Sequence, residues 1–235
     1  MLALESTGQP CTLTIIDFDR VEEKNIPRQN FVAPEIAFNK AEVLASRYSL
    51  AFGVSIKAIA NYFHGNMLDF TYNSLNVIIG CVDSATGRKE IAEAMGKWSN
   101  DDYSSRFWWL DCGNFGNGVS SGQVVLGSTN HFDWKQYYQE GKPLNFLSHL
   151  PSPSQQHPEL IEDNAVVKLQ LSCAESSREN AQALFINQRV AVEAVEMLNQ
   201  LLLTHNLRRY ATYFNCLTGT STSEYISAQS LSKFA

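Results

Sequence analysis

A doubly wound α/β fold, with a mostly parallel sheet flanked by helices and an antiparallel C-terminal part, follows from three features of this 235-residue chain. Short runs of branched apolar residues, Leu13 to Ile16 and Asn76 to Cys81, stop abruptly at acidic residues. Buried parallel strands look like that where they leave a sheet. Between and after these runs, apolar residues recur at helical spacing, from Asn39 to Tyr48, from Ser84 to Trp98 and from Val190 to Leu201. Toward the end the pattern changes to alternation, from Tyr210 to Leu217 and from Ser223 to Ser227, around a turn at Thr218 to Thr220.

Composition bounds what such a chain does. Apolar residues make up 44% and charged residues 18%, enough to bury a sizeable core. The length predicts a single domain over 1–235, with an irregular insert at about 128–170. A net charge of −6 argues against a nucleic-acid surface built on bulk charge, so no direct nucleic-acid partner is expected. Five cysteines, odd in number and without a C-x-x-C pair, read as reduced thiols of a cytoplasmic protein. No apolar run is long enough for a membrane span, and no basic-then-apolar leader opens the chain.

In chain order, Met1 to Leu4 is an apolar stub with helical character. The strand Leu13 to Ile16 then ends at Asp17-Phe18-Asp19. In doubly wound sheets ligands gather beyond the carboxyl ends of the strands, where an acid accepts hydrogen bonds from ribose hydroxyls. Asp17 and Asp19 stand at that position. Asn25, Arg28, Gln29 and Lys40 follow as a polar and cationic set suited to phosphate oxygens. Pro27 fixes a turn inside this set, and Pro34 to Ile36 starts a short helical turn. Asn39 is the expected N-cap of the next helix, with Lys40 in its first turn. Val54 to Phe63 alternates as a strand, and His64 to Asn66 is a turn.

The buried strand ending at Cys81 is followed by Asp83, by Ser84 as a cap, and by a helix through Arg88, Ile91, Met95 and Trp98. Asp83 reads as a helix-capping acid or as a hard oxygen ligand for a divalent cation. Phe107 to Gly113 predicts a strand running into a glycine-rich turn, Gly113 to Gly122, with a return strand through Leu126. From Ser128 to Val167 aromatic residues and prolines dominate, which predicts a loop with one short helix near Trp134 to Gln139. His131, His149 and His157 are too dispersed to read as a metal site. Cys173 precedes the longest helical pattern, where a helix N-terminus favours a thiolate.

The run D-x-D-x-V-x-x-x-N-x-x-R-Q from Asp17 to Gln29, with Lys40 beyond it, resembles the ThiF/MoeB/ubiquitin-activating superfamily. The segment Cys81-Val82-Asp83-Ser84-Ala85-Thr86-Gly87-Arg88 is similar to its second motif, with Ser84 in place of the usual Asn. Arg178 to Asn187 and the C-terminal hairpin resemble the ThiF-related proteins of the bacterial PRTRC cassette. That cassette implies neighbours resembling ubiquitin-like, JAB-type peptidase and ParB-related proteins.

The resemblance implies a Rossmann-like, ThiF-like fold that binds ATP and Mg2+, with Asp17 on the ribose and Asn25, Arg28 and Lys40 on the phosphates. It assigns Asp83 to the metal and offers Cys173 as a nucleophile for the activated chain. Some relatives carry two C-x-x-C pairs around zinc; none occurs here, so no zinc is predicted. The family's opening strand and G-x-G-x-x-G loop have no counterpart before Thr12, where Gly8 stands alone, so an N-terminally shortened member is expected. The implied reaction is ATP-dependent adenylation of the C-terminal carboxylate of a ubiquitin-like or sulfur-carrier protein by a homodimer. The alternatives are a non-catalytic ThiF-like binding subunit and a nicotinamide-dependent oxidoreductase, which shares the strand-end acid but leaves Arg28, Lys40 and Asp83 unexplained.

Overall fold

Two four-residue strands, two α-helices and an excursion after the first strand make the first of the two units into which the chain divides, Met1–Phe63 and His64–Ala235. The computed structural model describes residues 1–6, 8, 10–68, 74–98, 107–115, 121–137, 149–162 and 173–234. In the first unit, helix α1 spans Leu2–Ser6, the helical stub expected from the sequence. Strand β1, Leu13–Ile16, pairs in parallel with β2, Ile56–Ile59, with Leu13 opposite Ile56 and Ile16 opposite Ile59. β2 is shorter than the alternating run Val54 to Phe63, because its partner offers only four residues to pair with. Helix α2, Lys40–Phe52, joins the two strands and packs on both. It starts as predicted: the Asn39 side chain accepts the Glu42 N–H at 3.1 Å. It stops at Gly53, whose φ of 66° gives the left-handed cap that an L side chain resists. Ala41 and Ala45, four residues apart and buried, form its inward stripe.

The second unit is built on one sheet of order β3-β4-β5-β6-β7. β3, Asn76–Gly80, pairs in parallel with β4, Phe107–Phe115. From there the sheet is antiparallel through β5, Ser121–Gly127, β6, Arg209–Asn215, and β7, Ser221–Tyr225. Parallel pairing in the N-terminal half and an antiparallel C-terminal part agree with the fold class read from the sequence. Helix α3, Ala85–Trp98, connects β3 to the segment leading into β4 and buries Ile91 and Met95. Gly113 lies inside β4, paired with Gln123, so the strand runs further than the expected turn allowed. Gly116 to Ser120, the rest of that turn, fall outside the described residues.

The main core lies between this sheet and helix α6, Cys173–Leu202. Ile186, Val190, Ala194 and Met197 follow helical spacing and meet Trp108, Leu110, Val124 and Leu126. Each large apolar side chain so enclosed contributes about 1.5–3 kcal/mol. After α6 the chain turns at His205, which takes a left-handed φ of 50°.

Within the irregular insert the described residues include two short α-helices, α4, Trp134–Tyr137, and α5, Pro153–Gln156, and a 3-10 turn, Pro158–Ile161. α5 was not expected from the sequence; Ser152 caps it and Pro153 opens it, a start that needs no N–H from the proline. Gln155 ties this region down by accepting the Phe132 N–H and donating to the Phe132 carbonyl, both at 2.8 Å. Gly127 is indispensable there, since a Cβ would lie 1.9 Å from the Pro151 carbonyl oxygen. Helix α7, Ala228–Leu231, follows the last strand.

Candidate functional site

The polar motif of the first unit is a closed excursion at the carboxyl end of β1. The Asp17 N–H donates to the Ile59 carbonyl at 3.1 Å, the last link between the two strands. Asp17 Oδ1 then accepts the Asp19 N–H at 2.8 Å and turns the chain. The chain returns beside its own exit, with Val21 N–H on the Phe38 carbonyl and Ala37 N–H on the Val21 carbonyl, each at 2.9 Å. Ala37 takes a φ of 74° to make that return. Asn39 locks the junction: its Nδ2 donates to the carbonyls of Asp17 at 2.8 Å and Asp19 at 3.1 Å. One side chain therefore both caps α2 and holds the acidic turn against the helix start.

Lys40 completes this junction. Its N–H donates to the Asp19 carbonyl at 2.9 Å, and its Nζ reaches Asp19 Oδ2 at 2.9 Å. A cation in the first turn of a helix opposes the macrodipole, so Lys40 does not stand there for the sake of the helix. Asp17, Asp19 and Lys40 thus stand at one junction.

Along the excursion, Asn25 is 1% exposed and its Oδ1 accepts the Glu22 N–H at 2.8 Å. The Arg28 and Gln29 N–H groups both donate to the Asn25 carbonyl, at 3.1 and 2.8 Å. Asn25 therefore shapes the turn that carries Arg28 and Gln29. Among the described residues, Arg28 Nε and Gln29 Oε1 are buried and meet no hydrogen-bond partner. Buried polar atoms left so are rare and costly.

Arg47 is the residue that the motif did not reveal. It lies seven positions after Lys40 on α2 and forms an ion pair with both carboxylate oxygens of Glu35. It also donates to the Asn30 carbonyl and sits 5.9 Å from the Phe31 ring centroid. The excursion is pinned to α2 at both ends, by Asn39 and by Arg47. The Arg47 guanidinium holds the Glu35 carboxyl below the usual glutamate range. Helical periodicity alone, seven residues from Lys40, is the signal that points to it.

In the second unit Asp83 is exposed in the loop after β3. The helix cap is supplied by Ser84, whose Oγ accepts the Gly87 N–H at 3.1 Å. Arg88, the last residue of that motif, is 9% exposed and donates from Nε to Asp111 Oδ1 at 3.0 Å. Burial holds the Asp111 carboxyl above its ordinary range, and the Arg88 guanidinium acts against it. On β6, Tyr213 shares a 2.6 Å hydrogen bond with His157, and burial raises its hydroxyl well above the usual tyrosine value. Cys173 is the first residue of α6. Among the described residues, no group of three or more His, Cys, Asp or Glu could hold a metal ion, and no helix is long and apolar enough to cross a membrane.

Residues 4–105 match the ThiF family. No curated protein sequence matches the chain. Among solved structures, E. coli MccB is similar over 96% of this chain and 58% of its own, at 14% identity and a TM-score of 0.55. E. coli MccB solved with ATP gives 14% identity and a TM-score of 0.53 over 96% of this chain and 60% of its own. PaaA is similar over 95% of this chain and 59% of its own, at 13% identity and a TM-score of 0.51. The chain thus spans about three fifths of the length of these structures. The chain is similar to the ThiF family over residues 4–105, and its fold is the mixed α/β fold of MccB and PaaA.

Proposed function

We propose that this protein activates a carboxylate with ATP, adenylating the C-terminus of a small ubiquitin-like or sulfur-carrier protein. The observation that carries the reading is the junction at the end of β1, where Asp17, Asp19 and Lys40 meet the α2 N-terminus. Beyond it lie Arg28 Nε and Gln29 Oε1, buried and without a hydrogen-bond partner among the described residues. These residues fit a nucleotide. Carboxylates suit ribose hydroxyls, a guanidinium and an ammonium suit phosphate oxygens, and a helix N-terminus favours negative charge. The ThiF match over residues 4–105 and the resemblance in fold to MccB, one structure of which holds ATP, support the same class of chemistry.

In this reading Asp17 orients the ribose. Arg28 and Lys40 offset charge on the α-phosphate and on the departing pyrophosphate, the largest contribution available to such a transfer. A carboxylate oxygen of the carrier attacks the α-phosphorus, the bond to the bridging oxygen breaks, and pyrophosphate leaves with the electron pair. Asp83 would hold Mg2+, a hard cation that commonly takes one or two carboxylates together with phosphates and that neutralises their charge. Cys173 at the start of α6 would then receive the acyl group as a thioester, releasing AMP. The protein would work as a homodimer.

Titration of the full chain with MgATP by calorimetry tests the nucleotide half. Binding that Arg28→Ala and Lys40→Ala both weaken supports the reading; no binding of ATP by the folded chain overturns it. ATP–pyrophosphate exchange, stimulated by a carrier with a free C-terminus, tests the transfer. Nucleotide binding without exchange would instead favour a ThiF-like binding subunit.

A further inference from the structure

β3 and β4 run in parallel with Gly80 opposite Asp111, the last paired position of that ladder. One residue further along both chains stand Cys81 and Cys112. Residues at the same register of two parallel strands direct their side chains to the same face, and neighbouring strands lie about 4.7–4.9 Å apart. That separation falls within the Cα–Cα range of a disulfide, roughly 4.4–6.8 Å. Both side chains thus stand at the same end of the β3–β4 ladder, and neither is in a disulfide in this structure. Cys81 is exposed, while Cys112 is half-buried inside β4. Cys81 lies just past the end of β3, so a bond to Cys112 would form beyond the last paired position of the ladder.

We propose that Cys81 and Cys112 form a reversible dithiol–disulfide site that reacts with low-molecular-weight disulfides. The exposed Cys81 sulfur attacks one sulfur of oxidised glutathione, forming a mixed disulfide and expelling one glutathione thiolate. Cys112, giving up its proton to solvent, then attacks the Cys81 sulfur; a second glutathione leaves and the Cys81–Cys112 bond closes. Two protein thiols are oxidised and one glutathione disulfide is reduced to two thiols. The closed bond ties the exit of β3 to β4. Disulfides in reducing compartments are characteristically transient or redox-sensing, which an exposed attacking thiol beside a built-in resolving thiol suits. Neither the site nor its chemistry depends on nucleotide binding.

The test is to incubate the native full chain with oxidised glutathione, block remaining thiols with iodoacetamide, and map all five cysteines by mass spectrometry. The expected product is an intramolecular Cys81–Cys112 cross-link, reversed by dithiothreitol, with Cys216 alkylated or carrying glutathione. Cys112→Ser should trap glutathione on Cys81 as a stable adduct. Cys81→Ser, a change at an exposed position, should abolish closure and leave Cys112 unmodified even if Cys112→Ser fails to fold. A wild-type chain in which Cys81 keeps its glutathione, or joins another cysteine in preference to Cys112, overturns the proposal. So does a folded chain in which Cys81 and Cys112 are both alkylated after full exposure to the oxidant.

Discussion

Two ion pairs of nearly equal length stand in opposite settings. Lys40 and Asp19 meet at 2.9 Å with side chains 12% and 46% exposed; Arg88 and Asp111 meet at 3.0 Å with side chains 11% and 0% exposed. In both, the cation is largely covered; the carboxylate makes the difference. Asp19 faces water, so Lys40 can be released to a ligand at small cost while water takes its place on the acid. Asp111 lies on β4 fully buried, and its charge is answered inside the protein, by Arg88 first and then by Gln123 and His157. The first pair is thus able to exchange partners and the second is committed to the fold, although the cation of each belongs to a motif of the same sequence resemblance.

That contrast breaks most readily at Arg88. Arg88→Ala should cost about 3–5 kcal/mol of stability in urea denaturation, because it strands a buried carboxylate. Replacing both partners, as Arg88→Met with Asp111→Leu, should recover much of the loss, since apolar groups of similar volume need no partner. A single-variant loss below about 1 kcal/mol would mean that water reaches Asp111, and the two settings would no longer differ.

At Lys40 the effect should move from stability to binding. Lys40→Met should weaken MgATP about 10- to 100-fold, the equivalent of one charge-assisted hydrogen bond, while changing stability by about 1 kcal/mol or less. Equal losses in both measurements would make Lys40 a structural residue and remove the distinction from Arg88. Asn39→Ala sharpens the same point from the neighbouring position. It removes a helix cap and two bonds to the acidic turn, so about 1–2 kcal/mol of stability should go. Adding ATP should restore part of it, because a ligand that binds the ordered turn favours the folded state.

How much of this was legible beforehand depends on the range of the interaction concerned. Local chemistry was readable: branched apolar runs gave β1 and β3, Asn39 announced α2, and Ser84 announced α3. The candidate site was readable as a set of residue types, because Asp17, Asp19 and Lys40 meet within one excursion of the chain. What the sequence hid were partners distant in the chain. Nothing local to Arg88 names Asp111 as the acid it meets, since a strand register decides that. Cys81 and Cys112 become neighbours through the same register. Gly113 looked like a turn residue, because a glycine's freedom is visible in a sequence while the pairing that recruits it into β4 is not.

Glu35 and Arg47 supply the smallest and most specific prediction, since they fasten the excursion without belonging to either pair above. Arg47 lowers the Glu35 carboxyl below the usual glutamate range. A carboxylate lowered on folding adds stability that is complete above its unfolded pKa and disappears as pH falls through the folded value. Glu35→Gln should therefore cost about 1 kcal/mol near neutral pH, typical of a well-formed but partly exposed pair. The gap between variant and wild type should close in acid below the glutamate range, where both side chains are neutral. Melting temperatures measured across that window decide it. A gap that persists in acid would assign the loss to the fit of the Glu35 side chain, which also accepts the Val32 N–H at 2.9 Å, and the excursion would then be held in place by shape instead of charge.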